Sequence, residues 1–403
     1  MSHNEPIYMD HHAMTPVDPR VLDAMLPYFC ERFGNAASTT HGFGHMAASA
    51  VKAARESIAE AVGARAGEIV FTSGATESNN LALLGAAASY RDAGKHIVSV
   101  VTEHSAVLDP LKQLAKRGYL VSLLPVTAAG SDNAGIVTVD QVAGALRRDT
   151  ILVTVMAANN EIGTIQPIAA IARLCKEREI LFHTDATQAV GRIPVDVGAW
   201  DVDMMSFSAH KMYGPKGVGA LFVRRRKPFV RLEPLIFGGG HERGFRSGTL
   251  NVPGIVGMAR ALELCREDME EEAERLGTLR NRLYEGLLSR LDGVHLNGPA
   301  LDNGRRLPGN LNVNFEGIDG ESLLLSTRNL AASSGSACTS AHPEPSHVLR
   351  SLGLTDEAAR GSIRFGLGRG NTEAQVDYAV EAIADAVRRL RKMSSLPVLR
   401  PGA

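Results

Sequence analysis

Residues 151–223 read ILVTVMAANNEIGTIQPIAAIARLCKEREILFHTDATQAVGRIPVDVGAWDVDMMSFSAHKMYGPKGVGALFV. Four apolar runs rich in strand formers stand out: ILVTVMA (151–157), EILFHT (179–184), VDMMSFS (202–208) and VGALFV (218–223). An amphipathic stretch at 167–178 separates the first two. Near-continuous apolar strands divided by helices indicate a parallel or mostly parallel sheet covered on both faces. Upstream, EIVFTS (68–73) and HIVSVV (96–101) add strands, while 45–62, 76–90, 105–117 and 138–147 read as helices. The fold class is therefore α/β. Ligands of such sheets collect beyond the carboxyl ends of the strands.

Downstream, a glycine-rich break, FGGGHERGFRSGTLNVPG (237–254), leads into a long charged helix expected at about 255–290. NLNVNF, ESLLLSTRNL, SIRFGLG and TEAQVDYAVEAIADAVRRLRKM then mix strands and helices, as a smaller α+β domain would. In the last of these, Val376, Val380, Ile383, Val387 and Leu390 recur at helical spacing and form a packing stripe. The chain has 403 residues, 44% hydrophobic and 22% charged, with a formal net charge of −1. That composition suits a globular protein and offers no electrostatic case for nucleic acid or membrane surfaces. The basic run Arg224–Lys227 reads as a solvated strand exit. Cys30, Cys175, Cys265 and Cys338 lie far apart without metal-ligand spacing, so neither a disulfide framework nor a metal is expected. A reducing cytoplasm fits best. No signal peptide or apolar membrane span is visible.

Lys211 follows the apolar DVDMMSFS and precedes Gly214, Pro215 and Gly217, the setting in which a buried strand delivers an amine to a site. Lysine forms Schiff bases with carbonyl cofactors, of which pyridoxal 5′-phosphate pairs its ring nitrogen with an acidic residue. Asp185, after another strand, is the candidate acid. Gly74, Ala75 and Thr76 of FTSGATESNN stand between a strand and a helix, where free N–H groups and the helix dipole favour an anion. Ser208 and His210, flanking the lysine, strengthen that phosphate reading. Gln188 is placed to donate to a ring phenolate oxygen, and His104 to stack on the ring or move a proton. Arg364 in SIRFGLGR can clamp a carboxylate with a bidentate fork, or make an interdomain salt bridge. Cys338 lies in ASSGSACTSA, whose small residues cannot bury a core, so it is expected on a loop that moves. A thiol of ordinary pKa (~8.5) is only a few per cent ionised near neutrality, so a nearby histidine or cation is expected to activate it. The other cysteines read as inert packing.

The motifs DHHAMTPVDPRV, FTSGATESNN, TEHSAVLD, NNEIG, HTDATQAVG, SFSAHKMYGPKG, GGGHERGFRSGTLN, SSGSACTSA, EPSHVLRSLG and SIRFGLGR occur in this order from about Ile7 to Met393. In them the chain resembles the pyridoxal-phosphate-dependent cysteine desulfurases of the IscS/NifS kind, in the class V aminotransferase superfamily. The resemblance implies fold-type I: a large domain (15–258) with a mostly parallel sheet of the seven-stranded type, and a small domain (259–403 with 1–14) carrying the cysteine loop. It implies a covalent link from Lys211 to pyridoxal 5′-phosphate, with His104, Asp185 and Gln188 at the ring. Thr76, Ser208 and His210 would hold the phosphate, joined by Thr249 from the other subunit of a homodimer. Asn160 and Arg364 would hold the carboxylate of L-cysteine. Cys338 would attack the substrate sulfur, leaving alanine and a persulfide for a sulfur acceptor in iron–sulfur assembly, thio-cofactor or tRNA thiolation. Selenocysteine lyase and class V aminotransferase are the alternatives. The chain departs from the family pattern at Ala36, Ala209, His11, His12 and Met14, and in AHPEPSHV after the cysteine. It runs from MSSLP to VLRPGA where longer members continue into a scaffold-docking segment.

Overall fold

The computed structural model describes residues 6–227, 229–334 and 344–394. The strands in chain order begin with β1 (Ile7–Tyr8), β2 (Ile69–Thr72), β3 (His96–Val100) and β4 (Leu120–Leu124). Next come β5 (Thr150–Thr154), β6 (Leu181–Asp185), β7 (Met204–Ser208) and β8 (Gly219–Val223). The remainder are β9 (Val294–Leu296), β10 (Asn310–Phe315), β11 (Leu330–Ala331), β12 (Ser333–Ser334) and β13 (Ser362–Gly366).

The central sheet has seven strands in the order β2-β8-β7-β6-β5-β3-β4. Its pairs from β7 through β6, β5 and β3 to β4 are parallel, while β8 runs antiparallel to both β2 and β7. The near-continuous apolar runs have a direct cause. Ile97, Leu152, Met204 and Leu221 pack on one face, and Val98, Val153, Met205 and Phe222 pack on the other. With both faces covered, neither side of a strand is a solvent face, so the runs lack a regular apolar–polar alternation, and the few polar residues within them, such as His183, are buried. β4 was not among the expected strands. It is an edge strand with Leu120 and Leu123 about half exposed.

The second sheet, β12-β13-β10-β9, is antiparallel and has its own core, including Leu311, Val313, Phe365, Val376, Val380 and Val387. The expected stripe of the Glu373–Ser394 helix is thus part of that core, with Leu390 half-buried against it. The N-terminal segment joins this part: β1 pairs with β11, and Asp10 bridges to Gly366. The long helix expected at 255–290 is two helices, Val252–Glu267 and Met269–Leu288, interrupted at Asp268 (φ −107°, ψ 5°). The first places Val252, Ile255, Met258, Leu262 and Cys265 in the large core, and the second places Leu276, Leu279, Leu283 and Leu287 in the small one. One straight helix could not serve both cores. The expected boundary after residue 258 falls inside the first helix.

Candidate active site

The parallel strands end along one edge of the sheet, and there a cavity of about 530 Å³ opens. That is the size of a pocket for a small organic molecule. Its wall includes Gly74, Ala75, Thr76, His104, Asn160, Asp185, Gln188, His210, Lys211 and Arg364. Each element delivers its residue for a local reason. Asp185 is the last residue of β6, and Lys211 closes a short 3-10 turn (Ala209–Lys211) directly after β7. Gly74 is the N-cap of the Ala75–Ser89 helix with φ 155°, a conformation that side chains rarely adopt. Gly219, at the start of β8, lies so close to this turn that a Cβ there would sit 2.6 Å from Gly74 Cα. The two glycines let the β2 exit and the β8 entry touch at the helix N-terminus.

Asp185 is buried, and both of its oxygens are taken. Oδ2 accepts from Asn79 Nδ2 at 2.7 Å, and Oδ1 accepts from the Thr187 backbone N–H at 2.9 Å. Two donors fix the carboxylate against rotation. Beneath it, burial and then the Asp185 charge push Glu103 well above the usual carboxylate range. Glu103 Oε1 accepts from the Met156 N–H at 2.6 Å, and Oε2 is buried without a partner. The Lys211 ammonium donates to the carbonyls of His12 (2.9 Å) and Ala13 (2.6 Å), so the amine meets the N-terminal segment across the cavity.

His104 is the N-cap of the Ser105–Lys116 helix: the Ala106 N–H donates to its Nδ1 at 3.0 Å. An accepting Nδ1 carries no proton, so the neutral ring holds its hydrogen on Nε2. Burial lowers the pKa of this imidazole, against the opposing pull of Asp185. His210 shares a 2.7 Å hydrogen bond between its Nδ1 and Ser208 Oγ. Burial, then the charges of Lys211 and Lys216, hold its pKa down at about 4. Ser208, buried at the end of β7, therefore reaches the site through His210.

Gln188 is engaged by the N-terminal segment, donating from Nε2 to the His12 carbonyl (2.9 Å) and sharing Oε1 with His12 Nδ1 (3.1 Å). Arg364 Nη1 donates to the Asn160 carbonyl at 3.1 Å, so these two expected residues meet through the Asn160 backbone. The partner of the Arg364 charge is Asp10, at 2.7 Å. Thr249 is exposed and does not line the cavity of its own chain. Cys338 lies outside the described residues; Ser333, upstream of it in sequence, lines the cavity. Burial raises the pKa of Cys175 to about 12 and of Cys265 to about 11, which makes both inert. Cys30, expected to pack, is exposed at the end of the short Pro27–Cys30 helix.

Asp10, Asn79 and Glu103 also belong to the site among the described residues and are not among those expected from the sequence; His12, noted there only as a departure from the family pattern, joins them. Asn79 carried a usable signal: it lies one turn past Ala75, on the helix that begins at the cavity. Asp10 and His12 carry no local signal, since chain folding alone brings them opposite Arg364 and Gln188. Several polar atoms of the wall, Asn79 Oδ1, Thr187 Oγ1 and Arg364 Nε, are buried without partners. Buried polar groups are ordinarily satisfied, so this wall is built for a polar guest. Pyridoxal 5′-phosphate fits it: an amine for the aldehyde, a fixed carboxylate for the ring nitrogen, and a helix N-terminus with Ser208 and His210 for the phosphate. Among the described residues, no helix is long and apolar enough to cross a membrane.

A family model described as class-V aminotransferase matches residues 7–379. The protein named cysteine desulfurase IscS of Anaeromyxobacter dehalogenans is 56% identical over 391 residues, covering 97% of this chain and 95% of that one. Its namesake in Aeromonas hydrophila is 54% identical over 393 residues, again covering 97% and 95%. Among solved structures, a NifS-like protein superposes with a TM-score of 0.87 at 40% identity, over 95% of this chain and 100% of that one. SspA in complex with cysteine does so with a TM-score of 0.79 at 38% identity, over 90% and 98%. In sequence along nearly its whole length and in backbone alike, the chain belongs to the class-V aminotransferase family.

Proposed function

We propose that the protein is a pyridoxal-phosphate-dependent cysteine desulfurase, which converts L-cysteine to L-alanine and holds the released sulfur as a persulfide on Cys338. The observation that carries this reading is the convergence of Lys211, Asp185, the Gly74–Thr76 turn and Arg364 on one cavity. It is supported by relatives named cysteine desulfurase at more than half identity, and by the likeness to SspA solved with cysteine. The bound coenzyme supplies an electron sink for the substrate carbon.

The chain's own residues do the rest. Asp185, held by Asn79 and Thr187, keeps the ring nitrogen protonated. Thr76, Ser208 and His210, with the backbone at Gly74 and Ala75, hold the phosphate. Thr249, exposed in its own chain, completes the same cradle in the partner's site of a homodimer. His104, neutral and protonated on Nε2, covers the ring and offers a hydrogen bond. Gln188, held here by His12, would offer its amide to the ring oxygen. Arg364 and Asn160 hold the substrate carboxylate. The Lys211 amine would hold the coenzyme aldehyde, and it is the group placed to take and return the proton at the substrate α-carbon. Cys338 Sγ, as thiolate, attacks the substrate sulfur. The S–S bond forms as the Cβ–S bond breaks, the electron pair stays on Cβ, and protonation there gives alanine. The persulfide then serves an acceptor, which the IscS names suggest lies in iron–sulfur assembly. The large cofactor-binding part and the small part that takes the N-terminus are best divided at the Asp268 break.

Cys338→Ser is expected to keep the yellow bound coenzyme and lose sulfide release from cysteine in the presence of a thiol reductant. Sulfide release at the wild-type rate in that variant removes Cys338 from the chemistry, and keto-acid formation without sulfide in both proteins would favour a transaminase, which has no need of the thiol.

A further inference from the structure

The cavity wall contains a carboxylate that the mechanism above does not use. Asp10 Oδ1 accepts from Arg364 Nη2 at 2.7 Å, and its Oδ2 accepts from Ser333 Oγ at 2.8 Å. Backbone pairing fixes all three residues. Ser333 stands opposite Arg364 in the β12–β13 ladder, and Asp10 bridges to Gly366 on the same strand as Arg364. The Tyr8 hydroxyl donates to the carbonyls of Asp10 (3.1 Å) and Met14 (2.9 Å) and closes the turn that presents Asp10. The Arg364 side chain is 6% exposed, and its Nε is buried without a partner while the Asp10 and Asn160 contacts occupy the two Nη atoms. The guanidinium is therefore half-used: one carboxylate is built in, and donors remain for one more.

This arrangement counts charge. Asp10 and Arg364 together are neutral before a substrate arrives, and one substrate carboxylate makes the cluster singly negative. A second carboxylate would add another negative charge to a cluster whose cation is already shared. A like charge within about 4–6 Å of Asp10 in a partly dry site would weaken binding by an order of magnitude or more. We propose that Asp10 is the positioning and charge-selecting residue of the carboxylate subsite: it holds Arg364 in the wall and biases the site toward amino acids that carry a single carboxylate. The inference rests on the reading that Arg364 receives the substrate carboxylate, and deepens it into a substrate preference.

Calorimetric titration of the holoenzyme with L-asparagine and L-aspartate, which match in shape and differ in charge, tests it. The wild type is expected to bind asparagine at least tenfold more tightly. Asp10→Asn keeps an acceptor for Arg364 but removes the charge, and should shrink that preference about tenfold. An unchanged preference in folded, coenzyme-loaded Asp10→Asn overturns the inference. Should that variant not fold, the wild-type preference and Ser333→Ala decide. Ser333→Ala loosens Asp10 and should raise the KM for cysteine several-fold with a smaller change in kcat; equal wild-type binding of the two ligands, or an unmoved KM, refutes the proposal. Arg364→Lys separates the two levels. If it weakens neither ligand, the carboxylate reading itself fails; if it weakens both while Asp10→Asn is silent, only the role of Asp10 fails.

Discussion

Asn79 shows how much of this site depends on residues that act by holding another side chain in place. Its amide donates to Asp185 Oδ2 at 2.7 Å from a position 106 residues away in the chain. A hydrogen bond to a charged, buried acceptor contributes about 1.5–3 kcal/mol, so Asn79→Ala is expected to weaken coenzyme binding roughly tenfold. An absorbance titration of the apoprotein measures this, and an unchanged dissociation constant would show that Asp185 needs no such support. The Lys211→Ala variant should lose multiple turnover while still taking up coenzyme; normal turnover would remove the lysine from the chemistry. The same scale marks what could be read in the sequence. Lys211, Asp185 and His104 stand directly after apolar runs, so each could be named from its neighbours. Asp10 could not, since its meaning lies in Arg364, which only the fold brings near; Asn79 offered its place one turn into the helix at the glycine turn, but not its partner Asp185.

Among the elements, the six strands named from their apolar runs belong to the central sheet, because both of its faces are covered and the runs are unbroken. The seventh, β4, carries its own signal in LVSLL between Gly118 and Pro125, but an edge strand with half-exposed leucines has no partner run to confirm it. The break at Asp268 was hidden for another reason. Both helices are charged and amphipathic, and only their packing on different cores separates them. The contact of Gly74 with Gly219 is the element-scale feature most open to test. Gly219→Ala would place a methyl 2.6 Å from Gly74 Cα and 2.7 Å from the Phe207 carbonyl. Backbone cannot yield as a side chain can, so a loss of about 1–3 kcal/mol is expected, with weaker phosphate binding in the same variant. Thermal unfolding and coenzyme titration check both effects, and a variant as stable as the parent would show that the turn adjusts freely.

At the scale of the whole molecule, the parallel sheet brings its strand ends to one edge, and the N-terminal segment, paired with the small sheet, closes the cavity from the other side. The fold maintains this with polar groups buried in neutral form. His183, between Thr154 and Ser206, has its pKa lowered to about 4 by burial. Unfolded, the ring takes its proton near ~6.5, so its contribution to stability is complete above that pH and is lost as pH falls toward ~4. Glu103, with its pKa raised by burial, pulls in the opposite direction, so the pH dependence of the whole chain mixes both. A difference isolates the histidine: the destabilisation caused by His183→Asn should be about 1 kcal/mol smaller at pH 5.5 than at pH 7.5. Denaturant unfolding at the two pH values measures it, and a penalty that grew on acidification would reverse the assignment. The measurement that bears most directly on the reaction is peptide mass spectrometry of the holoenzyme after incubation with L-cysteine. The proposed function requires one extra sulfur atom on the Cys338 peptide, formed together with alanine; alanine formed while every cysteine peptide keeps its original mass would contradict it.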